Sequence, residues 1–378
     1  MKCSSGTLNL SLRRSPSHAQ LDFLNVRDGD CNVIQHVNGH VTVIDVCNAA
    51  PVVMIPDIPV IMAPKVSLRT LLGGPPTLPR DFGQKDFPVN PIEYLKEHGI
   101  THVFRFILTH PDMDHMDGLK EFFKQFSPTN FWDTNNNKAI DWNKKPHGKF
   151  NESDWKFYLN LRDGPKDREN PTRLTLHSDS RGQYYNVGAD GSDGGDGLHI
   201  LAPTPELVKD ANLDGKDYHS CSYVILYKTC GRRILFGGDS HDDTWEHILA
   251  NHKKDVTDVD VLIAPHHGRS SDRSYDFLDV LNPAFTLFGN APSEHLAYGA
   301  FSSRGLPIVT NNQAGCVLLD ISEAAISVYG TNKNFAQQKA AAYTFESPLH
   351  KGYHYLGDVR RAVKLKPPPT MPPVRTQR

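Results

Sequence analysis

The chain has no long hydrophobic run, no CxxC pair and almost no net charge, and each absence removes a class of protein. No apolar stretch approaches the roughly 18 residues that mark a membrane-spanning helix, so no span is expected. The start, Met1-Lys2-Cys3-Ser4-Ser5-Gly6, lacks the apolar core of a secretory signal. Six cysteines (Cys3, Cys31, Cys47, Cys221, Cys230, Cys316) are scattered over 378 residues. That usage argues against a disulfide framework and for a reducing, cytoplasmic setting. Cys221 and Cys316 sit in apolar runs and read as core. Lysine and arginine number 41 against 43 acids, a formal charge of −2. No general electrostatic grip on nucleic acid follows, and such a substrate would have to be held locally.

What is present suits one large layered domain, or two average ones, without staples. Residues 1–19 are Ser- and Arg-rich and read as a flexible N-terminus. Residues 20–335 read as the main domain, interrupted by an insertion at 127–197. Residues 336–378 read as an extension with a Pro-rich tail from Lys364. Asn38-Gly39 between β-branched runs predicts a hairpin spanning Cys31 to Val46. Five prolines in 73–91 predict an irregular loop. The run Gly188 to Gly197 has the look of a calcium-binding repeat, but it occurs once and reads as a flexible loop. Strand patterns follow at Leu198–Ala202, Tyr223–Tyr227, Arg232–Phe236, Val259–Ala264, Phe285–Phe288, Ile308–Val309, Cys316–Ile321 and Ala325–Tyr329. Amphipathic stretches such as Thr244–Asn251 alternate with them, which predicts an α/β layered domain.

Residues 109–118, Thr-His-Pro-Asp-Met-Asp-His-Met-Asp-Gly, carry the strongest chemical signal. An apolar strand pattern, Val103–Leu108, ends in two imidazoles (His110, His115) and two carboxylates (Asp112, Asp114) before a helical stretch. Nitrogen and oxygen donors of this kind suit zinc, manganese or iron, and a pair of such ions suits hydrolysis. The plain alternative is a polar turn that caps a helix, with Asp114 or Asp117 as N-cap. A second strand pattern ends in Pro265-His266-His267-Gly268-Arg269. Two adjacent imidazoles are seldom mere packing, because each needs a partner when buried. A third ends in Gly237-Gly238-Asp239, where glycines allow close backbone approach and the carboxylate could bridge two cations. His219, just ahead of another strand, and Asp45, at a strand end, are weaker signals. Several strand ends carrying His or Asp, in one chain, point to one shared site.

In this order the motifs resemble the metallo-β-lactamase superfamily, whose first motif is usually His-x-His-x-Asp-His. Here it reads His110-Pro111-Asp112-Met113-Asp114-His115, with Asp112 in place of the second histidine. That variant, with Pro265-His266-His267-Gly268, is similar to the ComEC-type branch, the hydrolase domain attached to DNA-uptake channels. Asn25–Asp30 and Thr310–Gly315 resemble that branch's early and late segments. The resemblance covers roughly residues 20–330 and implies an αββα sandwich with its metal site at one edge of two facing sheets. It implies that His110, Asp112 and His219 hold one divalent ion (Zn or Mn). Asp114, His115 and His267 or His266 would hold a second, with Asp239 bridging. The branch commonly has Asn where His219 stands, and no uptake channel is present, so a role in DNA import does not transfer.

The resulting expectation is a dinuclear metal-dependent hydrolase that cleaves a phosphodiester, as a phosphodiesterase or nuclease, using a metal-bound hydroxide. Asp114, Asp239, His266 and Arg269 are the expected catalytic groups, Arg269 as neutraliser of phosphate or else a solvated surface arginine. Trp132, Trp142, Trp155 and Tyr158, interleaved with basic residues, are candidates for stacking bases of a nucleic acid or nucleotide, or else a half-buried appendage. The alternatives are ester, thioester or lactam hydrolysis, and a non-catalytic ligand-sensing module of the same fold.

Overall fold

The computed structural model describes residues 18–50, 82–144, 147–165, 171–271, 273–340 and 343–360. Nearly all of the expected N-terminal segment, the first half of the Pro-rich 73–91 segment and the Pro-rich tail lie outside them.

The expected Asn-Gly hairpin forms between β2 (Asn32–Gln35) and β3 (Val41–Ile44), which pair antiparallel. Gly39 takes φ +90°, the left-handed backbone a tight turn needs, and its N–H donates to His36 O at 2.8 Å. On one side of this hairpin lie β1 (Ala19–Phe23), β13 (Val317–Ile321), β14 (Ile326–Gly330) and β15 (His354–Asp358). On the other lie β4 (Arg105–Ile107), β5 (Asn130–Trp132) and β6 (Thr172–Leu174). Together they form a nine-stranded sheet in the order β15-β14-β13-β1-β2-β3-β4-β5-β6. The second sheet has six strands: β7 (Leu198–Ala202), β8 (Val224–Thr229), β9 (Arg232–Phe236), β10 (Val261–Ile263), β11 (Phe285–Phe288) and β12 (Ile308–Thr310).

Period-two alternation assigns each strand two faces. Leu21 and Phe23 of β1, Val317 and Leu319 of β13, and Ile225 and Tyr227 of β8 meet in one core between the sheets. The alternate residues point outward. Val33, Val43, Phe106 and Leu318 pack under α1 (Pro91–Glu97), α2 (Leu119–Phe126) and α3 (Glu152–Asp163). Val224, Leu226, Leu235 and Leu262 pack under α4 (Asp242–Asn251), α5 (Phe277–Leu281) and α6 (Tyr298–Ser302). Two sheets face each other and helices cover both outer faces, an αββα sandwich. Burial on both faces explains why the strand sequences read as continuous apolar runs.

Four sequence expectations meet a different structure. The segment 127–197 is not wholly an appendage, since β5 and β6 extend the nine-stranded sheet through parallel pairing with β4 and with each other. Trp132, Trp155 and Tyr158 are buried in the cores, so their rings are unavailable to stack on bases, and only Trp142 is partly exposed. The Gly188–Gly197 run is pinned at its end. Asp196 is buried and its carboxylate meets Arg105 Nη1 at 2.9 Å, with Asn38 and His40 beside it. Likewise β15 docks on β14, so part of 336–378 belongs to the sheet.

Candidate metal centre

Strand direction decides where the chemistry gathers. The strands β3, β4 and β5 run parallel, as do β9, β10, β11 and β12, so their C-terminal ends open on common edges. Tyr223 N, at the start of β8, donates to Thr109 O at 3.0 Å and ties the edge of one sheet to the other. Asp45 follows β3, His110 follows β4, Asp239 follows β9 and the His266-His267 pair follows β10.

At the centre stands Asp239, buried, with its backbone N–H held by Ser222 Oγ at 3.0 Å. Its Oδ2 lies 3.5 Å from His115 Nε2, 3.7 Å from His110 Nε2, 3.7 Å from His267 Nε2 and 3.8 Å from His266 Nε2. Asp112 Oδ2 lies 3.8 Å from His110 Nε2 and 3.7 Å from His219 Nε2, and Asp114 Oδ2 lies 3.6 Å from His267 Nε2. All seven expected ligands, with His266, therefore come together. Six of them fall into two groups of donor atoms, His110–His219–Asp239 and Asp114–His115–His267, that each lie within 4.8 Å, with Asp112 and His266 beside them. A third such group, Asp217–His219–His241, adjoins them.

These spacings are too long for good hydrogen bonds. Two ligand atoms about 2.1 Å from one ion at a tetrahedral angle would stand roughly 3.4 Å apart. The buried atoms His110 Nε2, His115 Nε2, His267 Nε2 and Asp239 Oδ1 have no hydrogen-bond partner among the described residues. Buried polar atoms left without partners are costly, and a shared divalent cation would satisfy them together. The donor set fits such an ion.

The outer atoms of the histidines fix which nitrogen faces inward. His115 Nδ1 donates to Asp45 Oδ2 at 2.8 Å, and Asp45 also accepts from Thr109 N and Oγ1. His267 Nδ1 stands 3.0 Å from Asp30 Oδ1, and His219 Nδ1 stands 2.8 Å from Asp217 Oδ1. The first is a hydrogen bond and the other two are close ion-pair contacts, and in all three the carboxylate stands on the Nδ1 side while Nε2 turns toward the centre. Burial disfavours the cationic form of His267, but Asp30 and Asp239 overcome it and raise its pKa to about 10. His115 is likewise raised despite burial, by Asp239 and Asp45. His110, buried and beside His115, is lowered to about 3.

His266 differs. Its Nδ1 accepts from Arg273 Nη2 at 3.2 Å and lies 2.7 Å from Ser271 Oγ, while Arg273 Nη1 donates to Ser240 O. Arginine only donates, so the neutral ring carries its proton on Nε2 and turns an N–H toward Asp239. Burial lowers the His266 pKa to about 4, which keeps that form at neutral pH. His266, His267 and Gly268 all have positive φ (53°, 56° and 82°), and this tight turn aims the two rings into the site from different sides. A Cβ on Gly268 would fall 2.4 Å from the Phe288 ring, so the turn needs glycine there.

Arg269 is half-buried just past this turn. Its backbone pairs with Leu296, and its Nε is buried without a hydrogen-bond partner among the described residues. Sequence reasoning missed Arg273 and Lys138, whose ammonium pairs with Asp112 Oδ1. It noted Asp45 and the run containing Asp30 without seeing that each orients a histidine. No motif marks such outer partners, because any carboxylate brought near by the fold can serve.

The fold and site thus define an αββα sandwich with a histidine–aspartate centre able to hold divalent cations. No family model matches the chain, and no curated protein matches it. Among solved structures it is similar to a diphosphatase of the PhnP family, at 12% identity and TM-score 0.38, covering 81% of this chain and 98% of that one. It is similar to a CmlA β-hydroxylase variant, at 12% identity and TM-score 0.39, covering 82% of this chain and 55% of that one. It is also similar to a proposed metal-dependent hydrolase from Parabacteroides distasonis, at 11% identity and TM-score 0.37, covering 77% of this chain and 92% of that one. No helix among the described residues is long and apolar enough to cross a membrane.

Proposed function

We propose that the chain is a divalent-metal-dependent hydrolase that cleaves phosphodiesters. The observation that carries this reading is Asp239 Oδ2, encircled by four imidazole Nε2 atoms at 3.5–3.8 Å, a spacing suited to shared cations rather than hydrogen bonds. His110, Asp112 and His219 would hold one ion, Asp114, His115 and His267 the other, with Asp239 between them. Such a pair of zinc or manganese ions supplies an acidified water and charge neutralisation on phosphoryl oxygens.

The chain's own groups do the rest. Asp45, Asp30 and Asp217 stand against the outward Nδ1 atoms of His115, His267 and His219 and fix the rings with Nε2 facing the centre. His266 presents an N–H, locked by Arg273, that donates to a substrate oxygen rather than binding metal. Asp114, at the rim with its side chain 27% exposed, orients the attacking water. Arg269 neutralises the phosphate. The carboxylates Asp112, Asp114 and Asp239 make the donor set hard, which favours phosphate over thioester or lactam chemistry.

The test compares purified chain loaded with Zn²⁺ or Mn²⁺ on bis-nitrophenyl phosphate, RNA, single- and double-stranded DNA and nitrophenyl esters, with metal content measured alongside. Turnover of phosphodiesters is expected. Bound metal with turnover of esters alone would replace the phosphodiester assignment, and bound metal with no turnover would leave a ligand-sensing module.

A further inference from the structure

The carboxylate of Asp112 is split between the centre and a lysine. Its Oδ2 faces His110 and His219 at 3.8 and 3.7 Å, while its Oδ1 is ion-paired with Lys138. Lys138 comes from the 127–197 segment, and its position is prepared. Its backbone N–H donates to Asn136 Oδ1 at 3.1 Å, and Asn136 Nδ2 donates to the buried Tyr158 hydroxyl at 2.6 Å. Arg162 Nη1 of α3 donates to Lys138 O at 2.9 Å, and the ammonium lies 5.5 Å from the centroid of the Tyr218 ring. Tyr218 is fixed in turn by donating to Asn137 Oδ1 at 2.7 Å. The lysine is thus carried on a loop braced by α3, with its side chain 19% exposed at the rim.

We propose that Lys138 is a positioning residue for the metal site, forming with Asp112 a neutral pair that stands in for a neutral imidazole. A carboxylate at position 112 adds a negative charge and a second oxygen that an imidazole lacks. Lys138 cancels the charge and occupies Oδ1, so that Oδ2 alone turns toward His110 and His219. The inference rests on the metal reading above and adds a dependence between two residues far apart in sequence.

The test measures Zn²⁺ and Mn²⁺ affinity by chelator competition, with bound metal counted, for the full chain and for Lys138→Gln, Asp112→His and the double variant. Melting of the metal-free proteins checks folding. Lys138→Gln in the natural background releases Asp112 and weakens metal binding about tenfold, the scale of losing an outer-shell partner. Asp112→His strands an ammonium beside the site and also weakens binding. In that background Lys138→Gln removes the stranded charge and tightens binding, so the same substitution acts in opposite directions. Lys138→Gln acting alike in both backgrounds, with the natural chain still binding metal, overturns the pairing alone. A natural chain that binds no divalent ion overturns the metal reading itself.

Discussion

Asp22 shows how far a single buried carboxyl can depart from its ordinary behaviour. It sits on β1 under α1, fully enclosed, with one oxygen accepting from Tyr94 Oη at 3.0 Å and the other without a partner among the described residues. Burial, only partly offset by Tyr94, raises its pKa to about 7. The folded state therefore keeps a proton that the unfolded chain loses near pH 4, and stability falls as pH rises from there through 7. His350, 3.8 Å away and lowered by burial and His98 to about 4, titrates in the opposite sense. The difference between wild type and Asp22→Asn isolates the carboxyl. Urea unfolding at pH 5 and pH 8 should show the Asn variant gaining on wild type with rising pH, by an amount of order 3 kcal/mol. A difference that stays flat would show that Asp22 is ionised in the fold. Nothing in the sequence marks this residue, since an aspartate in a strand alternation reads as solvent-facing. By contrast, the candidate metal residues His110, Asp112, Asp114, His115, Asp239 and His267 stand out together rather than singly, because Gly237-Gly238-Asp239 alone reads as an ordinary turn and it is the recurrence of His and Asp at several strand ends that points to one site.

At the scale of elements, legibility followed length and apolar content. The strands β7, β9 and β11 lie where their apolar runs place them, because a strand buried on both faces has few polar positions to blur it. Those that escaped notice, β5, β6 and β15, are short or partly exposed edge elements whose pairing comes from the neighbouring strand rather than from their own pattern. The Gly-rich 188–197 segment shows the same principle from the other side. Its composition suggests freedom, yet Arg105, buried on β4 against the Trp132 ring, needs an anion, and Asp196 is the group that reaches it. Removing one member of a buried pair strands the other's charge, so Asp196→Ala should destabilise the fold by about 3–5 kcal/mol. Arg105→Met with Asp196→Ala should recover much of that loss in thermal or urea unfolding. A double variant no better than Asp196→Ala would show that the loop, rather than the charge pair, supplies the stability.

For the molecule as a whole, the centre couples metal, protons and folding. The two sheets contribute candidate ligands from separate strands, His110 and His115 from one and Asp239 and His267 from the other, so a bound ion would tie both layers together. Without an ion, His115 and His267 are held as cations by Asp239, Asp45 and Asp30 against the pull of burial. A metal must displace those protons, and binding should therefore release protons into solution at pH 8 and weaken as pH falls. An ion present at about a thousand times its dissociation constant adds about 4 kcal/mol to the folded state. Zinc or manganese should accordingly raise the melting temperature by several degrees at pH 8 and by less at pH 5.5, and a chelator should reverse the shift. Asp239→Asn removes the carboxylate that faces four imidazoles, so it should abolish both the metal-induced shift and the proton release. Retention of both by that variant would place the ions elsewhere and detach the proposed chemistry from this edge of the sandwich.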